Sequence, residues 1–122
     1  MWHVTDDEFQ ALINEALQSL PGQHAPNIKN IAILYDEDPT LQQRQELKLR
    51  NDQTLFGLYE GVPLPKRQGM QSQLPDRITL FKGPLERSVN TLAALKEQIR
   101  HTLWHEIAHY YGLDHTNISH LE

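Results

Sequence analysis

The chain of 122 residues is long enough for one compact domain and too short for two ordinary ones, so we treat residues 1–122 as a single domain. A net charge of −5, with no basic cluster, argues against nucleic acid as a partner. The absence of cysteine excludes disulfides, thiol nucleophiles and thiolate zinc sites, which leaves His, Asp and Glu as candidate metal ligands. No apolar stretch is long enough to span a bilayer, and the start of the chain lacks the pattern of an export signal. We therefore expect a cytoplasmic protein with no membrane partner.

The first half of the chain predicts one helix and then strands. Apolar side chains recur over residues 5–20 at the three-and-four spacing of a helix with one buried face. Thr5 and Glu8 have the spacing of a capping box at the start of this helix. Short segments rich in β-branched and aromatic residues predict three mostly buried strands, over residues 31–35, 54–59 and 77–81.

The segments around the second predicted strand are less regular. Residues 40–50 contain good helix formers without a clear apolar stripe, which predicts a short helix or an irregular loop. Gly57 indicates a bulge or a close approach by another backbone. Residues 60–75 are rich in glycine and proline and predict a long surface loop. We expect the charged residues that flank this loop, Glu60 and Asp76, to be solvated.

The last third of the chain predicts a turn and a second long helix. Lys82-Gly83-Pro84 is expected to turn the chain after the third strand. The helix is predicted over residues 91–111, and Gly112 is expected to end it as a left-handed cap. Trp104 and Ile107 lie on the side of this helix that we expect to face the core.

This last helix carries the pattern His-Glu-x-x-His from His105 to His109. Residues four apart on a helix point in similar directions, about 6 Å apart along the axis, so both imidazoles can point at one position in space. Gly112 allows the positive φ that reverses the chain, which lets His115 return toward the same position. Three neutral imidazoles leave one tetrahedral position open for water, as in catalytic zinc sites. The spacing therefore predicts zinc as the cofactor.

Glu106 has the position of a general base in this pattern. It is rotated by about 100° from His105 around the helix, which keeps it out of the ligand set while its carboxylate can reach a zinc-bound water. Zinc lowers the pKa of such a water to about 7. The carboxylate can take the proton as the water attacks a carbonyl and can pass it to the departing amine.

Several neighbouring residues have alternative interpretations. Asp114 is a second candidate for the third ligand because carboxylate oxygen also binds zinc, although the spacing favours His115. His101, one turn before the motif, either lines the cleft or is simply exposed, and exposure is the favoured interpretation. Tyr110 and Tyr111 offer hydroxyls to an oxyanion, with packing favoured. The remaining histidines have no motif context and are expected to be solvated: His3, His24 and His120.

The longer pattern His-Glu-x-x-His-x-x-Gly-x-x-His over residues 105–115 resembles the signature of the metzincin metallopeptidases, a branch of the zincins. The chain looks most like small bacterial zincin-like peptidases with a minimal matrix-metalloprotease fold, and the similarity extends to residues 58–64 and 75–84. The resemblance implies an α+β fold in which a small mixed sheet packs on two main helices, the second carrying the metal. It also implies zinc on His105, His109 and His115, with Glu106 as general base.

The sequence therefore predicts a zinc-dependent hydrolase that cleaves peptide bonds. We expect short peptides or unstructured proteins as substrates and a monomer as the active form. By the resemblance, an extended substrate would pair with the edge of strand 54–59, with the loop over residues 60–75 as a rim. Two other hypotheses stay open: a non-catalytic module that holds zinc and binds a peptide or protein, and hydrolysis of a small amide or ester.

Overall fold

The structure is a computed structural model that describes residues 1–19, 31–48, 55–61 and 76–110. Within these ranges the elements in chain order are α1 (Asp6–Gln18), β1 (Ile31–Asp36), α2 (Leu41–Glu46), β2 (Gly57–Glu60), β3 (Asp76–Phe81), α3 (Lys82–Arg87) and α4 (Leu92–Tyr110). The three strands form one mixed sheet that packs against α1 and α4. This arrangement confirms the predicted α+β class. None of the described helices is both long enough and apolar enough to cross a bilayer.

The sheet has the strand order β1-β3-β2. β1 runs parallel to β3, and β2 runs antiparallel to it with Gly57 opposite Leu80. Of the three strands predicted to be mostly buried, β3 is buried, whereas the prediction is wrong for β2 and β1, which are partly exposed. On β1, Leu34 is 48% exposed, and the alternate side chains, including Ile33 and Tyr35, pack against the core. The described residues thus cover one face of β1, although its sequence is apolar on both faces.

The two main helices confirm the spacing arguments. In α1, the hydroxyl of Thr5 accepts a hydrogen bond from the Glu8 amide at 3.2 Å, and the Thr5 amide donates to the Glu8 carboxylate at 3.0 Å. In α4, Trp104 and Ile107 are buried as expected. The hydrophobic core lies between these helices and one face of the sheet; among its fully buried members are Phe9, Ile13, Ile78, Leu80, Ile99 and Leu103.

Two short helices complete the described fold. α2 falls in the stretch for which helix and loop were both predicted, and all of its residues are at least partly exposed. The turn predicted at Lys82-Gly83-Pro84 is wrong, because these residues begin α3 directly after β3. Pro84 occupies the first helical turn, where its missing N–H costs no intrahelical hydrogen bond. Gly83 donates its amide to the Glu37 carbonyl at 2.7 Å, and a side chain at this position would clash with that carbonyl.

A buried ionic cluster joins the start of the chain to α3. The Glu86 carboxylate is almost completely buried and accepts a hydrogen bond from the Val4 amide at 2.7 Å. The Lys82 ammonium, also buried, lies 3.6 Å from Glu86 and 3.4 Å from Asp6. His3 is largely exposed, as expected, but its Nδ1 is 3.0 Å from the same Glu86 oxygen. These contacts hold the first residues of the chain against α3.

Candidate metal centre

The C-terminal half of α4 brings three candidate ligand groups together. The rings of His105 and His109 have centroids 4.7 Å apart and meet edge to face. With Glu106 they offer one ligand atom each, and these atoms all lie within 4.8 Å of one another. Donor atoms around tetrahedral zinc are about 3.4 Å apart, so small side-chain rotations are enough to bring both imidazoles onto one ion. The donor set and its spacing therefore fit a zinc ion.

Glu106 is the buried member of this group. Its side chain is only 9% exposed, whereas the side chain of His109 is 39% exposed. The Glu106 carboxylate accepts a hydrogen bond from the Tyr59 backbone amide at 3.0 Å, and the same oxygen lies 3.3 Å from Nδ1 of His109. A buried carboxylate needs such partners to offset the loss of water. The carboxylate is thus fixed beneath the imidazoles, and its predicted place outside the ligand set stays a prediction.

The contact with Glu106 also affects His109. Hydrogen bonding to the Glu106 carboxylate raises the pKa of the His109 imidazole above its ordinary value of 6.5, and partial burial opposes this rise only in part. Because Nδ1 faces the carboxylate, Nε2 is the nitrogen that can coordinate a metal. A carboxylate behind a ligating histidine is a common arrangement in metal sites.

The edge strand β2 approaches α4 closely at Gly57. A Cβ atom at this position would lie 2.7 Å from Cγ2 of Thr102 and 3.5 Å from Cγ of Glu106. The prediction of a bulge or of a close approach by another backbone at Gly57 is wrong, because the strand pairs in regular register and the atoms nearest to this position belong to side chains, two of them on α4. The absence of a side chain at this position lets the strand lie directly beside the buried carboxylate.

The backbone groups of β2 that point toward the site are those of the residues that do not bond to β3. The Phe81 amide donates to the Phe56 carbonyl at 2.9 Å, which makes these residues a hydrogen-bonded pair. Antiparallel ladders alternate between hydrogen-bonded and non-hydrogen-bonded pairs. Gly57 and Tyr59 therefore direct their N–H and C=O groups away from β3, in agreement with the bond from Tyr59 to Glu106. The outer edge of β2 thus faces the candidate metal centre.

A cavity of about 290 Å³ lies between the start of β2 and α4, and it reaches His105 and Glu106. Leu55 and Phe56 give this cavity an apolar side. Its opposite side is polar and is formed by Gln98, His101 and Thr102. His101 is exposed, as favoured, and it also lines the cleft, so both interpretations of this residue hold.

Tyr59 and Asp76 are the site residues that the sequence did not indicate. The expectation that Asp76 is solvated is wrong: it is 3% exposed, and its carboxylate accepts a hydrogen bond from the Tyr59 hydroxyl. Glu60 is partly exposed and pairs with Arg77 across the strands at 3.3 Å. Tyr110 is buried and meets the Tyr59 ring edge to face, in agreement with a packing role. No local sequence signal marks these contacts, because each joins residues on different elements.

Several predicted residues and segments lie outside the described part of the chain, and the predictions for them remain predictions. They are the third ligand candidates His115 and Asp114, the helix cap Gly112, and Tyr111, His24 and His120, together with most of the loop predicted over residues 60–75.

Comparison with known proteins agrees with this geometry. The solved structure of a conserved hypothetical protein from T. thermophilus is similar, with a TM-score of 0.62 and 16% sequence identity over 88% of this chain and 94% of that chain. At this identity the similarity concerns the fold alone. The sequence has no significant match among curated proteins. A family model described as zincin-like metallopeptidase matches residues 28–122, which is most of the chain. The chain therefore belongs to the family of zincin-like metallopeptidases.

Proposed function

We propose that this protein is a zinc-dependent, metzincin-like metallopeptidase that cleaves peptide bonds in the cytoplasm. The observation that carries this proposal is the buried Glu106 carboxylate, fixed by a backbone amide within reach of the imidazoles of His105 and His109. Family membership supports the same chemistry. Burial of a carboxylate is costly unless it has hydrogen-bond partners, and the Tyr59 amide and His109 supply them at the position where the zincin pattern has its base.

His105 and His109 would hold the ion, with His115 as the predicted third ligand. Zinc bound there would supply Lewis acidity for the scissile carbonyl and for the attacking water. Glu106 would take the proton from that water and deliver it to the departing amine. The Tyr59 amide engages one carboxylate oxygen of Glu106, which orients the other oxygen for this transfer.

The shape of the site favours an extended peptide as substrate. Gly57 points its N–H and C=O groups away from β3, and an extended chain binds such a strand edge by main-chain hydrogen bonds, whereas the Tyr59 amide is already bonded to Glu106. The adjacent cavity of about 290 Å³ is at the lower limit of ordinary small-molecule pockets, which are about 300–1,000 Å³. It is therefore better suited to one substrate side chain than to a whole ligand. We propose short or unstructured peptides as substrates and a monomeric enzyme.

Metal analysis and a peptide-cleavage assay test the proposal together. Protein prepared without added metal should retain close to one zinc per chain, and His109→Ala should lose it. His3→Ala is the matched control, because this exposed histidine pairs with Glu86 rather than with the proposed ligands and should leave the zinc content unchanged. A library of fluorogenic peptides should yield at least one substrate. Zinc-loaded protein that cleaves no peptide but captures one tightly would instead be a binding module.

Replacement of the base is the sharper test. Glu106→Gln should retain zinc and lose hydrolysis, because the amide preserves the shape of the side chain but cannot accept the proton. Glu97→Gln, an exposed change on the same helix, should leave hydrolysis unchanged. Normal peptide cleavage by the Glu106→Gln enzyme would contradict the assigned role of the carboxylate.

A further inference from the structure

Tyr59 contacts three parts of the site through three different groups. Its backbone amide donates to the Glu106 carboxylate at 3.0 Å. Its ring packs edge to face against Tyr110, with centroids 6.2 Å apart, one residue beyond His109. Its hydroxyl donates to the buried Asp76 carboxylate at the start of β3. This single residue therefore connects the proposed general base to the central strand of the sheet.

β2, which carries Tyr59, has few contacts of its own to hold it in place. β2 has only four residues and pairs with one neighbour among the described strands, so its backbone has few hydrogen bonds to hold it. Asp76 is 3% exposed and stands opposite Ile31 on the central strand β3, which pairs with β1 over its whole length and therefore offers a firm point of attachment. Gly61, with φ of +156°, packs against the Asp76 side chain, where a Cβ atom would clash with the carboxylate.

We propose that Tyr59 is a positioning residue for Glu106, and that Asp76 acts as its anchor. This inference rests on the proposed function for the role of Glu106 as base. The hydroxyl of Tyr59 holds the end of β2 against β3, and the backbone amide of the same residue then holds the carboxylate in one orientation. Loss of the anchor lets the strand end move and carries the amide away from Glu106. The consequence is a misplaced base rather than a lost substrate site.

Amide NMR tests this connection without any activity measurement. The chain has four tyrosines, so zinc-loaded protein labelled with ¹⁵N-tyrosine gives four backbone signals, and the signal missing in Tyr59→Phe identifies Tyr59. Glu106→Gln should shift the Tyr59 amide signal. Asp76→Ala should speed hydrogen exchange at this amide by about tenfold or more, the range expected for loss of a hydrogen bond to a charged group.

Two matched variants give the controls. Asp76→Asn keeps an oxygen that accepts from the Tyr59 hydroxyl and should retain slow exchange. Glu60→Gln breaks the adjacent cross-strand pair with Arg77 and should leave the Tyr59 amide unchanged. The proposal is contradicted if Glu106→Gln does not shift the Tyr59 signal or if Asp76→Ala leaves its exchange rate unchanged. If Asp76→Ala speeds hydrogen exchange equally at the Tyr35 amide, on the far strand of the sheet, Asp76 stabilises the whole fold. That result would also overturn the proposal.

Tyr59→Phe provides a second, milder test, because it removes only the hydroxyl. With a peptide found in the fluorogenic library, kcat should fall by about tenfold or more while KM changes by less than about twofold, as expected for a displaced catalytic group. Tyr35→Phe is the matched control and should change neither constant. A rise in KM alone would contradict a positioning role. Absence of turnover in the unmodified protein would refute the proposed function, whereas the NMR experiment would still decide the positioning inference.

Discussion

Gly57→Ala is predicted to push the edge strand away from the active-site helix. The added Cβ would lie 2.7 Å from Cγ2 of Thr102 and 3.2 Å from Cδ2 of Leu80, whereas carbon atoms in contact are about 3.5–4.0 Å apart. Thr102 cannot easily swing aside, because it is buried on the helix and a β-branched side chain has few rotamers there. The strand and the helix must therefore separate by roughly 1 Å.

Two effects of opposite sign set the magnitude of this change. Overpacking of a core contact costs about 1–3 kcal/mol. Alanine also restricts the unfolded chain, which stabilises the protein by about 0.4–1 kcal/mol relative to glycine. The overpacking is the larger effect, so we expect the free energy of unfolding to fall by about 1–2 kcal/mol. For a domain of this size that loss lowers Tm by about 4–8 °C.

Thr102→Ser is the compensating variant, because it removes Cγ2 and keeps the hydroxyl that Gln98 contacts at 3.3 Å. Urea denaturation of the wild type, both single variants and the double variant gives the coupling free energy. The double variant should recover most of the stability lost in Gly57→Ala, with a coupling of about 1 kcal/mol or more. Strictly additive effects, or an unchanged stability in Gly57→Ala, would refute the packing argument.

Three further predictions concern ionisable groups. Glu86→Gln should lower the free energy of unfolding by about 3 kcal/mol in urea denaturation, because it leaves the buried Lys82 without its buried counter-charge. Arg87→Gln breaks an exposed pair on the same helix and should cost less than about 1 kcal/mol; equal losses would contradict this assignment. Because the pKa of His109 is raised, this histidine takes up a proton earlier as the pH is lowered. Zinc affinity, measured against a chelator, should therefore begin to fall while the pH is still above 6.5. In the metal-free protein, the contact of protonated His109 with Glu106 should stabilise the fold. This stabilisation should be complete below pH 6.5 and should disappear as the pH rises through the raised pKa of His109. Tm measured against pH checks this, with Glu106→Gln as the reference that lacks the contact.

The features that the sequence predicted well are those encoded within one segment. The apolar spacing and the capping box at Thr5 locate α1 because helix-forming interactions join residues three or four apart. The same periodicity locates α4, and the pattern from His105 to His109 identifies the candidate ligands because one helical turn is enough to bring them together. The candidates for a third ligand, His115 and Asp114, lie beyond the described helix.

The features that sequence reasoning missed depend on contacts between segments. Asp76 is charged and follows a proline-rich stretch, so its own segment does not predict its burial against the Tyr59 hydroxyl of another strand. Tyr59 acts on Glu106 through a backbone amide, which any residue type except proline supplies, so no side-chain pattern marks it. Burial of β1 was overestimated because an apolar run does not reveal how many faces of a strand are covered.

Diffraction from crystals of the zinc-loaded protein, recorded on both sides of the zinc absorption edge, would locate the metal. We expect one anomalous peak beside α4, about 2.0–2.1 Å from a ring nitrogen of both His105 and His109, with the Glu106 carboxylate close by but not coordinated. A peak elsewhere on the protein, or imidazoles that point away from each other in fully loaded crystals, would contradict this expectation.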